Sequence, residues 1–203
     1  MSNQMKEILG ALLAAIGTVA SAIGGTPTIY IQKRTLSDLN IIGNVLQAVG
    51  NGLEVDGQEE LSLETIGNEL QSVGNVTVIS GLLINFEDDN KQKLIITGNW
   101  IQALGGVTAL GDELSDITDI DDLYLIAGNL LQAIGNSLQA ISGINELKSD
   151  QIDKGNEKDR NTEGNDDNYL GVIGGWIQAV GSIISLIGQI KEENQEQSSF
   201  DND

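Results

Sequence analysis

Residues 126–143 read IAGNLLQAIGNSLQAISG, and the rest of the chain follows from this stretch. Gly128 and Gly135 stand seven residues apart. Each is followed by an asparagine (Asn129, Asn136) and, after a leucine, by Gln-Ala-Ile (Gln132, Ala133, Ile134; Gln139, Ala140, Ile141). Apolar residues three and six places after a glycine fit a helical period, because a strand would alternate every second residue. The unit Gly-Asn-x-Leu-Gln-Ala-Ile is therefore expected to form two turns of helix, twice in succession.

The unit recurs at residues 8–17 (ILGALLAAIG), 41–50 (IIGNVLQAVG), 65–74 (TIGNELQSVG), 96–105 (ITGNWIQALG) and 172–181 (VIGGWIQAVG). A repeat of this length suits one helix and one connector per unit. Short polar connectors between helices favour antiparallel neighbours. The expected fold is all-α: six antiparallel helices from a degenerate glycine-heptad repeat, at about 5–24, 36–54, 61–84, 92–111, 122–147 and 169–191, stacked as a row or bundle. A glycine-rich β-repeat is the alternative, because residues 76–86 (VTVISGLLINF) and 28–36 are rich in β-prone side chains. The expected organisation is a five-helix repeat region over 1–147, an acidic flexible loop over 148–168, a sixth repeat helix over 169–191 and a disordered tail over 192–203.

A glycine inside a helix costs about 1 kcal/mol relative to alanine, so its recurrence needs a packing reason. Absence of a Cβ lets two helix backbones approach closely. Gly43, Gly50, Gly67, Gly74, Gly98, Gly105, Gly128, Gly135, Gly174 and Gly181 are the expected helix-packing positions. The amides Asn44, Gln47, Gln71, Asn99, Gln102, Asn129, Gln132 and Gln178 recur in fixed register and are expected to bond across helices and set that register. The apolar lines three and six places after each glycine are expected to share the packing face with it. At Ser142 the glycine period slips to Gly143, which predicts a bend or the end of regular packing there.

Composition narrows the chemistry. The 203 residues include no cysteine and no histidine, which removes disulfides, thiolate sites and imidazole bases. A net charge of −20 disfavours binding to nucleic acid and to anionic membrane surfaces. Acidic residues at 116, 119, 121 and 122 offer oxygen ligands to divalent cations but lack the spacing of a calcium loop. No glycine-rich phosphate loop, triad or carboxylate pair stands out, so no catalytic residue, cofactor or enzyme activity is expected. Residues 8–25 could pass for a secretion signal and 169–190 for a membrane span, but both keep the glycine register of the charged repeats.

Residues 8–25 and 169–190 also carry no charge, whereas the middle units do. In a stacked row these units would leave adhesive ends at Leu13 and Ile16 on one side and Trp176, Ile177 and Val180 on the other. A head-to-tail contact that does not close makes a filament. The expected function is thus a structural protein that polymerises with itself through its first and last repeats. The alternatives are a membrane-inserting or pore-forming helical protein and a non-polymerising protein-binding scaffold. The membrane alternative is weakened in the linear sequence by the polar middle units and the lack of Lys/Arg flanks or an aromatic belt.

The units GNWIQALG (98–105) and GNLLQAIG (128–135), with the copy at Trp176, Ile177, Gln178 and Ala179, resemble uncharacterised repetitive proteins of Bacillus-type spore-forming bacteria. The first unit departs from the motif, with Ala11 and Ala14 in the amide slots. The resemblance carries no activity or site; it implies a spore-former source and an extracellular or spore-surrounding fibre, with the cytoplasm as the other setting.

Overall fold

A computed structural model describes residues 1–58, 60–115, 122–155 and 166–200. It contains six helices: α1 (Asn3–Gly24), α2 (Lys33–Gly57), α3 (Leu63–Leu83), α4 (Asp88–Ser115), α5 (Asp122–Gly155) and α6 (Asp166–Phe200). The fold is all-α, and no strand occurs among the described residues, so the β-repeat alternative is set aside. The two β-prone stretches lie largely in α3 and in the α1–α2 connection. Tertiary packing overrides their local preference.

Local chemistry explains several ends. Ser2 accepts a hydrogen bond from the Met5 N–H and opens α1. Ser62 and Thr65 form a reciprocal capping box at the start of α3. Glu64 in the first turn of α3, and Asp88 and Asp89 in that of α4, complement the positive helix start. α5 runs on to Gly155 and α6 to Phe200, so residues 148–155 and 192–200 are helical rather than loop and tail. α5 continues as helix through Ser142, which is buried and takes the glycine slot opposite Gly171.

The helices form three tight antiparallel hairpins, α1–α2, α3–α4 and α5–α6. Adjacent hairpins meet through α2 with α3, α4 with α5, and α6 with α1, closing a ring in which each helix lies beside two others only, among the described residues. The arrangement is a closed bundle rather than an open row, and the first and last repeats are neighbours.

Glycine sets the hairpin spacing. A Cβ on Gly17 would lie 2.6 Å from the Gly43 carbonyl oxygen, and one on Gly43 2.5 Å from the Gly17 oxygen. Gly10 and Gly50, Gly67 and Gly105, Gly74 and Gly98, Gly128 and Gly181, and Gly135 and Gly174 face one another in the same way. The expected packing glycines thus pair across the hairpins, each against opposing backbone. The interfaces between hairpins lack these glycine pairs and set small residues against one another: Ser72 donates to the Ala48 carbonyl at 3.0 Å, and Gly106 faces Ala133.

Around this frame the usual distribution of side chains is inverted. The largest fully buried side chains are Asn75, Asn136 and Thr18. Ile16, Val49, Val73, Leu104, Ile134 and Val180, six places after the unit glycines, are all exposed. The line six places on therefore leaves the packing face expected of it. The physical reason lies in the angles: at about 100° per residue, glycine, Asn (+1), Gln (+4) and Ala (+5) fall on one half of the helix, while +2 and +6 fall opposite. Close backbone approach fixes the glycine half inward and carries the amides with it.

Gly52 offers a control for this mechanism, because nothing lies within 4 Å of a Cβ built there. Gly52→Ala should stabilise the fold by about 1 kcal/mol through helix propensity alone. Gly50→Ala, two residues away, would meet the Gly10 oxygen at 2.5 Å and should destabilise by about 1–3 kcal/mol. Unfolding followed by circular dichroism measures both; equal effects would refute the glycine contacts.

A buried amide axis as candidate functional site

The eight amides singled out by their register, Asn44, Gln47, Gln71, Asn99, Gln102, Asn129, Gln132 and Gln178, are all buried. Each sits one or four places after a glycine, so the close hairpin contact turns it toward the middle of the ring. Asn51, Asn68, Asn75, Asn136 and Gln189 join them, which extends the polar lining along the bundle. Asn68 fills the Asn slot after Gly67 in its own unit; Asn51, Asn75 and Asn136 lie seven residues after Asn44, Asn68 and Asn129, and Gln189 follows Gly188, so each is signalled by the glycine register.

Gln178 of α6 is the junction. Its Nε2 donates to Gln47 Oε1 of α2 at 2.9 Å and to Gln102 Oε1 of α4 at 3.3 Å. Its own Oε1 accepts from Gln139 Nε2 of α5 at 2.8 Å. Gln47 Nε2 in turn donates to Ser21 Oγ of α1 at 3.1 Å. The equivalent slots of the three even-numbered helices therefore converge, with α5 completing the cluster. Elsewhere Gln132 donates to Ser185 Oγ at 3.0 Å across the α5–α6 hairpin.

The two ends differ. One carries the α1–α2, α3–α4 and α5–α6 connections and is termed the hairpin end; the other holds the start of α1. At the hairpin end Gln92 Nε2 donates to Glu146 Oε2 at 3.1 Å, and Trp176 Nε1 donates to Thr26 Oγ1 at 3.0 Å. At the opposite end Gln189 Nε2 donates to Glu7 Oε2 at 3.3 Å, and Lys6 pairs with Asp56 at 3.0 Å. Glu54, in the last turn of α2 and beyond the uncharged stretch 39–53, is pushed up to about 8 from an ordinary value of 4.5. Desolvation is the largest cause, followed by the charges of Glu64 and Glu7.

Of the proposed adhesive residues, Ile16, Trp176 and Val180 are exposed, while Leu13 and Ile177 are half-buried. They do not form open ends, because α1 packs on α6 within one chain. The acidic residues 116, 119 and 121 lie outside the described residues, and no group of three or more Asp or Glu among the described residues is placed to hold a metal ion.

The Glu54 environment makes a signed prediction. A carboxyl that is raised on folding favours the folded state below its unfolded value and loses that advantage as pH rises toward the folded value. The melting temperature should therefore fall from about pH 5 to about pH 8.5, and Glu54→Gln should flatten that slope. An unchanged slope in Glu54→Gln would exclude Glu54 as its source.

No curated protein and no solved structure matches the chain. Residues 5–186, which span all six glycine units and the amide cluster around Gln178, match the model of a family of unknown function, DUF6944. The chain belongs to that family.

Proposed function

We propose that this chain is an integral membrane protein, a six-helix bundle that faces lipid with an apolar belt and keeps its amides inside. The observation that carries the proposal is the inverted polarity: large aliphatic side chains face outward on every helix, and Asn and Gln fill the centre. In water the hydrophobic effect would drive the opposite arrangement. In a bilayer it is the favourable one, with polar side chains paired inside and small residues at the helix contacts.

The distribution of charge supports the same reading. Each helix has an uncharged stretch: 8–24, 39–53, 70–83, 94–111, 123–145 and 169–190. These are the proposed spanning segments, about 20 to 35 Å long as helix against a hydrocarbon core of about 30 Å. α1 (Asn3–Gly24) and the segments Asp88–Gly111 and Tyr169–Glu192 are long and apolar enough to cross a membrane by themselves. Tyr30, Phe86 and Tyr169 stand exposed at the hairpin end, and Tyr124 lies under Lys191 Nζ at the other. Aromatic side chains favour such interfacial positions. The first-to-last polymer and the protein-binding scaffold remain the competing readings. With α1 packed on α6, a polymer would have to use the whole belt.

Extraction of membranes at alkaline pH, followed by flotation with phospholipid vesicles, tests the proposal. The protein should stay in the membrane pellet and float. Release into the supernatant, with filaments in negative-stain micrographs, would favour self-assembly instead.

Orientation follows from the positive-inside rule, which counts Lys and Arg only. Lys33, Arg34, Lys91, Lys93 and Lys148 lie at the hairpin end, against Lys6 and Lys191 at the other. The hairpin end is therefore assigned to the cytoplasmic side. The chain has no native cysteine, so Ser37→Cys and Glu60→Cys report the two ends. An impermeant maleimide added to intact cells should label the Glu60→Cys protein and leave the Ser37→Cys protein unlabelled.

A further inference from the structure

We infer that the axis of the bundle is a gated pathway for water and small monovalent cations, closed by the amide cluster of Gln47, Gln102, Gln139 and Gln178. The inference rests on the membrane reading above.

Three observations converge on it. First, a cavity with amide side chains in its lining lies on each side of the cluster. That nearer the start of α1 has a volume of about 30 Å³ and is lined by residues including Asn51, Asn68, Gln71, Gln132 and Ser182. It has room for about two water molecules. That toward the hairpin end, about 210 Å³, is lined by residues including Gln92, Asn99, Gln139 and Ser142. Gln139 lines the second cavity and donates to Gln178, so the cluster separates the two.

Second, the axis holds polar groups that the protein itself leaves unsatisfied. Asn68 Nδ2 lines the first cavity and is buried without a hydrogen-bond partner; Asn75 Oδ1 and Asn136 Nδ2, on the same helical lines but in neither cavity's lining, are also buried without one. A buried amide without a partner is costly and rare in a folded protein; the two Nδ2 donors point to water as the missing partner, and the Asn75 Oδ1 acceptor to water or a cation.

Third, the charge at the mouths has one sign. Glu64 lines the first cavity, with Glu7 close enough to act with it on Glu54, itself mainly protonated at neutral pH, and Glu146 lines the second. Among the described residues no Lys or Arg lines either cavity. Carboxylates at the mouths concentrate cations and repel anions, while amide oxygens within can replace part of a hydration shell. The interior amides are uncharged, so an ion is held weakly enough to leave. Opening needs only the side chain of Gln178 to turn away from Gln47 and Gln102, because the glycine contacts hold the helices apart from the gate.

The test uses the full chain reconstituted in potassium-loaded phospholipid vesicles, with potassium and chloride fluxes measured separately. The wild-type protein should float with the vesicles and pass potassium slowly. Gln178→Ala breaks three hydrogen bonds of the closed cluster and should raise potassium flux about ten-fold. Gln178→Leu, which fills the space with an apolar side chain, should reduce flux to that of empty vesicles. Chloride flux should stay at the empty-vesicle level throughout. Circular dichroism and flotation confirm that each variant is folded and inserted. If Gln178→Ala fails this check, Gln102→Ala, which removes one acceptor, replaces it with the same expected direction. Protein that floats but shows equal potassium flux in wild type and both variants overturns the pathway and leaves the membrane reading standing. Equal passage of potassium and chloride overturns the cation assignment. Failure to float overturns the membrane reading and the pathway with it.

Discussion

The structure depends on one contact, repeated: a glycine on one helix against the backbone carbonyl of a glycine on its antiparallel neighbour. Within each hairpin two glycine pairs in constant register bring the backbones so close that a single methyl group would collide with the opposing oxygen. The contact offsets the poor helix propensity of glycine through dispersion between closely packed backbones. It also decides rotation about the helix axis, since only the glycine face can approach. Every other side chain then has its direction set.

From that rotation the inverted interior follows. Asn and Gln flank the glycine line and must enter the ring, while Leu, Ile, Val and Trp on the far half must leave it. The interior amides become acceptable because they find one another, as Gln178 does with Gln47, Gln102 and Gln139. Ring closure between α1 and α6 completes the enclosure. A row left open there would expose one side of the polar lining.

The outward apolar belt and the inward polar axis answer two different environments, and a bilayer supplies both conditions at once. The membrane proposal and the axial pathway are thus two consequences of one geometric cause. They stand or fall on separate observations, insertion for the belt and flux for the amide cluster.

The sequence alone determined the helical class, the repeat and the glycine and amide register. Heptad spacing of glycine pointed to helices, and eight amides of the axis, from Asn44 to Gln178, could be named; Asn51, Asn68, Asn75, Asn136, Gln139 and Gln189 took their place only with the structure. Helix ends at Gly155 and Phe200 were less legible, because polar, charged residues at helix ends carry no periodic signal. Periodicity also left the sense of the pattern open: it says that one half of a helix differs from the other, and not which half turns inward. Hydrophobicity suggested the apolar half; steric access chose the glycine half, because the hairpins close only where no Cβ intervenes. Tertiary structure likewise gathered scattered lysines and aromatics at one end and brought the first and last repeats together. Those outcomes depend on contacts between residues far apart in the chain, which local spacing does not encode.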